Sequence, residues 1–296
     1  MIHSKSNRRY QFMINVILII VTIIMVAPII LLFMSSISSE RSLLVYGYSF
    51  VPKEFSLEAY QYIFSNAQTI FRAYGITILV TIVGTACNLI LSSMTAYALS
   101  VRKLPFRNVI SFYIFFTMLF NGGLVPSYLM WTSIFHIKNT IFALIVPNFM
   151  LSAMNVILIR TYYSSSIPEA LYEAAKIDGA SYLYIFKKIV LPMGKPILVT
   201  MGLFSGLGYW NDWTNGLYYI NDAKLYSIQN LLNKMIQDIQ ALQANASASA
   251  SSAIMQIPTV SVRMAIAFVA LVPILIIYPF LQKYFAEGIA LGAVIG

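Results

Sequence analysis

Long runs without a single Asp, Glu, Lys or Arg constrain this chain more than any other feature. Arg9 to Glu40 encloses 30 uncharged residues, Arg72 to Arg102 encloses 29 and Arg107 to Lys138 encloses 30. Lys138 to Arg160 encloses 21, and Arg263 to Lys283 encloses 19. A charge is costly in hydrocarbon, and a helix needs about 20 apolar residues to cross a bilayer, so each run can hold one span. A sixth run, Lys195 to Asp212, encloses only 16. At 1.5 Å per residue that is about 24 Å, short of the roughly 30 Å hydrocarbon core. Lys195 can snorkel at one end, and Trp210 and Trp213 suit the interface at the other. Pro192 and Pro196 fit a helix start, where a missing N–H costs little. The runs predict an all-α integral membrane protein with six helices, near 12–34, 73–99, 108–130, 140–160, 195–214 and 264–283.

Composition supports this. Of 296 residues, 59% are hydrophobic and 10% charged, against about 25% charged in a soluble domain. A soluble enzyme, a disordered tail and a disulfide-stapled secreted domain are excluded. The single cysteine, Cys87, has no partner for an internal disulfide and reads as a small core residue. The net charge is +9. The basic residues flank the apolar runs, so they point to topology and membrane lipid, with no nucleic acid partner. With the N-terminus inside, twelve of the 19 Lys and Arg fall in the shorter inner segments and seven in the longer outer ones. Both termini are therefore expected in the cytoplasm. The 12–34 run is too long for a signal-peptide core, and Ser35–Ser39 is a poor cleavage site, so it is expected to stay as an anchor.

Three polar segments stand out. The outer loop 36–72 contains Pro52 and a short amphipathic stretch, Leu57, Tyr60, Ile63 and Phe64. The outer loop 215–262 predicts a helix over Leu225–Gln243, with Leu231, Leu232, Met235 and Ile239 on one face. The low-complexity Ala244–Ala253 follows, and the Asn245-Ala246-Ser247 sequon is read as a chance match. The inner loop 161–194 is the most structured. Ser166 and Glu169 have the spacing of a capping box, with Pro168 in the first turn. A helix over 167–177 would put Ile167, Leu171, Ala174 and Ala175 on one shallow face suited to close approach by another surface. Gly179 then breaks the helix, and a second amphipathic piece, 181–190, precedes Pro192. Residues 1–71 form the N-terminal helix and first outer loop, 72–283 the transmembrane domain, and 284–296 a cytoplasmic tail.

Enzyme chemistry is missing from the residues. The only histidines, His3 and His136, are far apart, and no HxxxH or CxxC spacing supports a metal site. There is no GxxxxGK[ST] run, so the chain carries no ATPase loop of its own. Gly202 and Gly206 have the spacing of close helix packing. Only Asp212 comes near membrane depth as an ionisable group, which disfavours an intrinsic ion-coupled carrier. An energy source outside this chain is expected.

One motif is specific. Glu173-Ala174-Ala175 is followed after three residues, ending in Asp178, by Gly179. Nine residues follow, and then stand Ile189, Leu191 and Pro192. This resembles the EAA signature of ABC importer permeases, and the flanking Ile167–Tyr172 and Ile177–Ala180 resemble the carbohydrate-uptake branch. Phe120-Asn121-Gly122-Gly123-Leu124-Val125-Pro126 and Tyr278–Phe285 resemble the oligosaccharide permeases of Gram-positive bacteria, which are similar to the smaller maltose permease. The resemblance covers nearly the whole chain. Ile295 stands where the family's tail commonly has Lys.

The resemblance implies a type I ABC importer permease fold in a bacterial cytoplasmic membrane, multi-pass. The implied partners are a second, homologous permease subunit, a cytoplasmic ATPase dimer that holds ATP and Mg, and an extracellular sugar-binding protein. A carbohydrate would be translocated by alternating access, with no cofactor on this chain. Glu173, Ala174, Ala175, Asp178, Gly179, Ile189, Leu191 and Pro192 would couple transport to the ATPase. The competing reading of Glu173 is an i,i+3 pair with Lys176. For a substrate path, Asn88, Asn121, Tyr209, Trp210, Asn211 and Trp213 offer the amides and aromatic faces that suit sugars. The same aromatics fit an interfacial belt. The alternative function is a secondary carrier or homo-oligomeric channel for a small solute.

Overall fold

The computed structural model describes residues 5–65, 67–147, 150–245 and 259–293. Among these the secondary structure is helical, apart from one isolated antiparallel bridge between Ser38 and Phe55. Ala246–Ala253 of the low-complexity stretch, the Ala246 and Ser247 of the sequon, and Ile295 lie outside the described residues. The chain divides into two compact units, residues 1–70 with 232–274 and residues 71–231 with 275–296.

Among the described residues, three helices are each long and apolar enough to cross a membrane. They are α1 (Lys5–Ser36), α4 (Ala67–Ser100) and the last helix, α15 (Thr259–Ala293). They contain the expected spans 12–34, 73–99 and 264–283. The span expected at 108–130 is not one helix. It breaks between α5 (Arg107–Leu119) and α6 (Leu124–Leu129), where the axis turns by 111°. Gly123 takes φ +91°, a conformation that favours glycine, and Asn121 Oδ1 accepts from its N–H at 2.8 Å. The span expected at 140–160 also breaks, between α7 (Phe142–Ile145) and α8 (Ala153–Ser166). Ser152 caps α8 by accepting from the Asn155 N–H.

The sixth run forms α12, Lys195–Trp210, which stops before the expected end at 214. Ahead of it, α10 (Tyr182–Ile185) continues through a π turn, Phe186–Val190, into α11 (Leu191–Met193). The chain then bends by 79° into α12. Gly194 sits at the bend because the Tyr163 ring occupies the place of its missing Cβ, whose position would be 2.5 Å from a ring carbon.

In the first unit, α2 (Glu40–Tyr46) and α3 (Glu58–Ser65) follow α1. On α3, Ala59 and Ile63 are buried as an amphipathic helix requires, whereas the expected face residues Leu57 and Phe64 are exposed. Glu40 is buried, and its carboxylate accepts from the N–H groups of Val260 and Ser261 and from the Ser261 hydroxyl, at 2.8–3.1 Å. It thereby satisfies orphan donors at the start of α15 and sits where the helix dipole favours a negative charge. Ser36 shares a 2.8 Å hydrogen bond with the Tyr60 hydroxyl. Most of α14 (Ile228–Asn245) also belongs to this unit, from Leu232 on; the helix starts three residues later than expected, and Leu231, Leu232 and Met235 are half-buried along it.

In the second unit, α4 and α12 pack closely. Cβ atoms added at Gly202 and Gly206 would come within 3.1 and 3.5 Å of Leu89 and Thr85 on α4. Gly84 on α4 gives way in turn to the Tyr209 ring. This is the small-residue packing expected of that pair. Asn88, Asn155 and Ser205 meet between α4, α8 and α12. Asn155 Nδ2 donates to Asn88 Oδ1 at 2.7 Å and to Ser205 Oγ at 2.8 Å, and Ser205 Oγ donates to Asn88 Oδ1 at 3.0 Å. All three are buried.

Candidate coupling loop and substrate-path residues

Residues 161–194 form one compact elbow. Its helix, α9 (Glu169–Ile177), starts two residues later than expected, and the capping box does not form. Ser166 is the last residue of α8, and Pro168 is the N-cap without a side-chain hydrogen bond. The reason is local. A residue before proline avoids helical dihedrals, and Ile167 is extended at φ −104°, ψ 113°. Glu169 turns instead to Arg102, at 3.1 Å between two exposed side chains.

The face of α9 is also rotated from the expected one. Ile167 is buried ahead of the helix, while Tyr172 and Ala175 pack against a core of Tyr97, Tyr163, Ile185, Phe186 and Val190. Leu171 and Ala174 face outward with Ala170, Glu173 and Ile177, the last 86% exposed. Tyr172 explains the rotation: a large ring buries more apolar area than an alanine, so it takes the inner position. It stacks on Tyr97 at 6.4 Å between ring centroids, and burial pushes its phenol above the ordinary tyrosine range.

The helix ends in a Schellman turn. Ala180 N–H donates to the Ala175 carbonyl at 2.9 Å and Gly179 N–H to that of Lys176 at 3.0 Å. Gly179 has φ +76°, which a β-carbon would strain. Asp178 is the exposed C-cap, its N–H donating to the Ala174 carbonyl at 3.0 Å. Ser181 then caps α10 through the Tyr184 N–H. Ile189 and Leu191 are half-buried against the same core, and Pro192 lies in the first turn of α11. Lys176 Nζ lies 5.2 Å from the Tyr182 ring centroid. No Glu173–Lys176 ion pair forms among the described residues. The elbow thus fixes its inner side and leaves a shallow, exposed strip, Ala170, Glu173, Ala174 and Ile177, at one-turn spacing.

The six substrate-path candidates do not form one cluster. Asn88 is buried in the triangle described above. Asn121 is exposed at the α5–α6 break, engaged in its own turn. Tyr209 is 2% exposed, and its hydroxyl donates to the Ile145 carbonyl at 2.9 Å. Trp210 is buried beside it in sequence. Asn211 caps α12, its Nδ2 donating to the Leu207 carbonyl at 2.9 Å. Trp213 is 46% exposed at the start of α13 (Thr214–Tyr219). Asp212 is buried, and its carboxylate accepts from the Thr214 and Asn215 N–H groups.

Sequence reasoning missed Asn155, Ser205 and Glu40. The first two had a signal, being amide and hydroxyl inside charge-free apolar runs, where polar groups turn toward protein. Glu40 had none, because its partners lie 220 and 221 positions away. Among the described residues, no group of three or more His, Cys, Asp or Glu is arranged to hold a metal.

Comparison with known proteins places this geometry. Residues 88–291 match the family described as binding-protein-dependent transport system inner membrane component. The polygalacturonan/rhamnogalacturonan transport system permease protein YtcP of Bacillus subtilis is 37% identical, over 98% of this chain and 100% of its own. Protein LplC of the same organism is 36% identical, over 92% and 90%. Among solved structures, a chain of a bacterial ABC transporter that imports the acidic polysaccharide alginate aligns with TM-score 0.80 and 31% identity, covering 96% of this chain and 99% of that one.

Proposed function

The chain belongs to the family of binding-protein-dependent transport system inner membrane components, and from that membership we propose how it works in an importer. It is a permease subunit of a carbohydrate-uptake ABC importer, a membrane-integral transport component. Its substrate is an oligosaccharide, in line with the sugar-transport relatives. The membrane is the bacterial cytoplasmic membrane. A second, homologous permease completes the pathway, an extracellular sugar-binding protein delivers the substrate, and a cytoplasmic ATPase dimer binds ATP and Mg.

One observation carries the reading. The EAA segment is a rigid, capped elbow whose inner side is packed into the unit and whose outer strip is bare. Such a strip fits a groove on an ATPase subunit, with Glu173 beside a cation of the partner. When ATP closes the ATPase dimer, α9 is displaced, and its packing through Tyr172, Ala175 and Ile189 passes the motion to α4, α8 and α12. Hydrolysis resets the cycle. This chain performs no covalent step.

Six spans with both termini in the cytoplasm remain the reading that best satisfies the Lys and Arg distribution. Three long helices, with each bent pair counted as one span, give up to five by length and composition, and this reading takes α7 with α8 as the sixth.

The test is a pull-down of tagged protein from its native membrane in mild detergent, followed by mass spectrometry. A second permease and an ATPase are expected with the wild type, and the ATPase is expected to be lost with Glu173→Lys. A chain that purifies alone or as a homo-oligomer, even after cross-linking, overturns the reading in favour of a secondary carrier or channel.

A further inference from the structure

Beside the elbow lies a cavity of about 440 Å³, bounded by the end of α4, the turn that follows it, the end of α8 and the start of α9. Four cationic side chains line it, Arg102, Lys103, Arg107 and Lys176, against two carboxylates, Glu169 and Glu173. Glu169 is already paired with Arg102, so the balance of charge inside is positive.

The neutral lining also favours an anion. Ser164 brings a hydroxyl donor from the last turn of α8, while that of Ser165 donates to the Tyr162 carbonyl at 3.4 Å. Tyr163, fully buried, backs the cavity wall. The N-terminus of α9 opens on the same space with no side-chain cap, so its free N–H groups add partial positive charge.

We propose that this cavity binds a phosphate-class anion, held by Arg102, Lys103, Arg107 and Lys176 and by the Ser164 hydroxyl. The bound anion ties the start of α9 to the α4–α5 turn. The phosphate group is common to an anionic lipid headgroup and to free inorganic phosphate, and the test separates them. Binding is read directly, so the proposal stands or falls independently of the importer reading.

The full chain is exchanged into nanodiscs of phosphatidylcholine with a minor share of phosphatidylglycerol, and retained lipid is read by native mass spectrometry. A parallel titration with inorganic phosphate is made at constant ionic strength. The wild type is expected to retain phosphatidylglycerol, and Arg102→Gln with Lys103→Gln to reduce retention about tenfold or more, since each surface cation near anionic lipid matters substantially. Lys103→Gln alone gives a smaller loss and serves if the double variant does not fold. Lys187→Gln with Lys188→Gln, two exposed lysines outside the cavity, is expected to change little. If phosphate binds in place of the lipid, with the same dependence on Arg102 and Lys103, the site holds and its source is soluble. Three results overturn it: neither probe binds, cavity variants bind as wild type does, or the Lys187 and Lys188 control loses as much.

Discussion

The side-chain amide of Asn155 donates to Oδ1 of Asn88 at 2.7 Å, across 67 positions of sequence. With Ser205 it closes a buried polar triangle that pins three helices together. In an apolar surrounding, each member left alone would keep an unmet hydrogen bond, so the triangle fixes both register and rotation of those helices. Asn155→Leu is expected to cost about 1 kcal/mol, within the range measured for interhelical hydrogen bonds in membrane proteins. Thermal unfolding of the purified variant in detergent checks this, and an unchanged midpoint would refute it.

Tyr209 reads as a structural residue by the same logic. Its ring fills the space that Gly84 leaves, and its hydroxyl meets the Ile145 carbonyl. Tyr209→Phe should lower stability by about 1 kcal/mol while leaving the apparent KM for sugar uptake unchanged. A raised KM at unchanged stability would return Tyr209 to the substrate path.

Gly179 holds φ +76° with open space around its missing side chain. Gly179→Ala therefore meets only the left-handed backbone penalty, about 1–2 kcal/mol, and is expected to reduce ATP-driven uptake partially. Gly179→Pro cannot adopt that φ at all and should abolish uptake while the protein still reaches the membrane. Membrane fractionation with an uptake assay decides it, since normal uptake in the proline variant contradicts the coupling role.

Glu40 caps α15 from a distant part of the chain. Glu40→Ala removes four hydrogen bonds to Val260 and Ser261 and should cost about 1–3 kcal/mol. Glu40→Gln, which keeps an acceptor but no charge, should lose about half as much. Limited proteolysis of the outer segments would register both, and equal resistance in all three proteins would contradict the cap.

Much of the architecture was legible in order along the chain. The charge-free runs located three long helices because burial in hydrocarbon penalises charge at every position, a property of composition alone. The EAA spacing located the elbow because a left-handed glycine and the helices on either side of it are short-range features. The face of α9 was not legible. Helical spacing permits several stripes, and only the core waiting beneath, with Tyr97, Tyr163 and Phe186, decided that Tyr172 and Ala175 turn inward. Nor were the breaks at 120–123 and 146–152. Apolar composition says that a segment can enter a membrane, but the backbone path is chosen by the partners it meets there.

By itself, then, the sequence determined that this is a helical membrane protein and where the elbow of its EAA segment lies. Composition and local backbone preference suffice for that. Tertiary structure alone decided which polar groups close on each other. Asn88 with Asn155 and Glu40 with Ser261 are pairings over 67 and 221 positions. No local preference encodes such distances. They arise because each buried donor or acceptor must find a partner once packing has removed water.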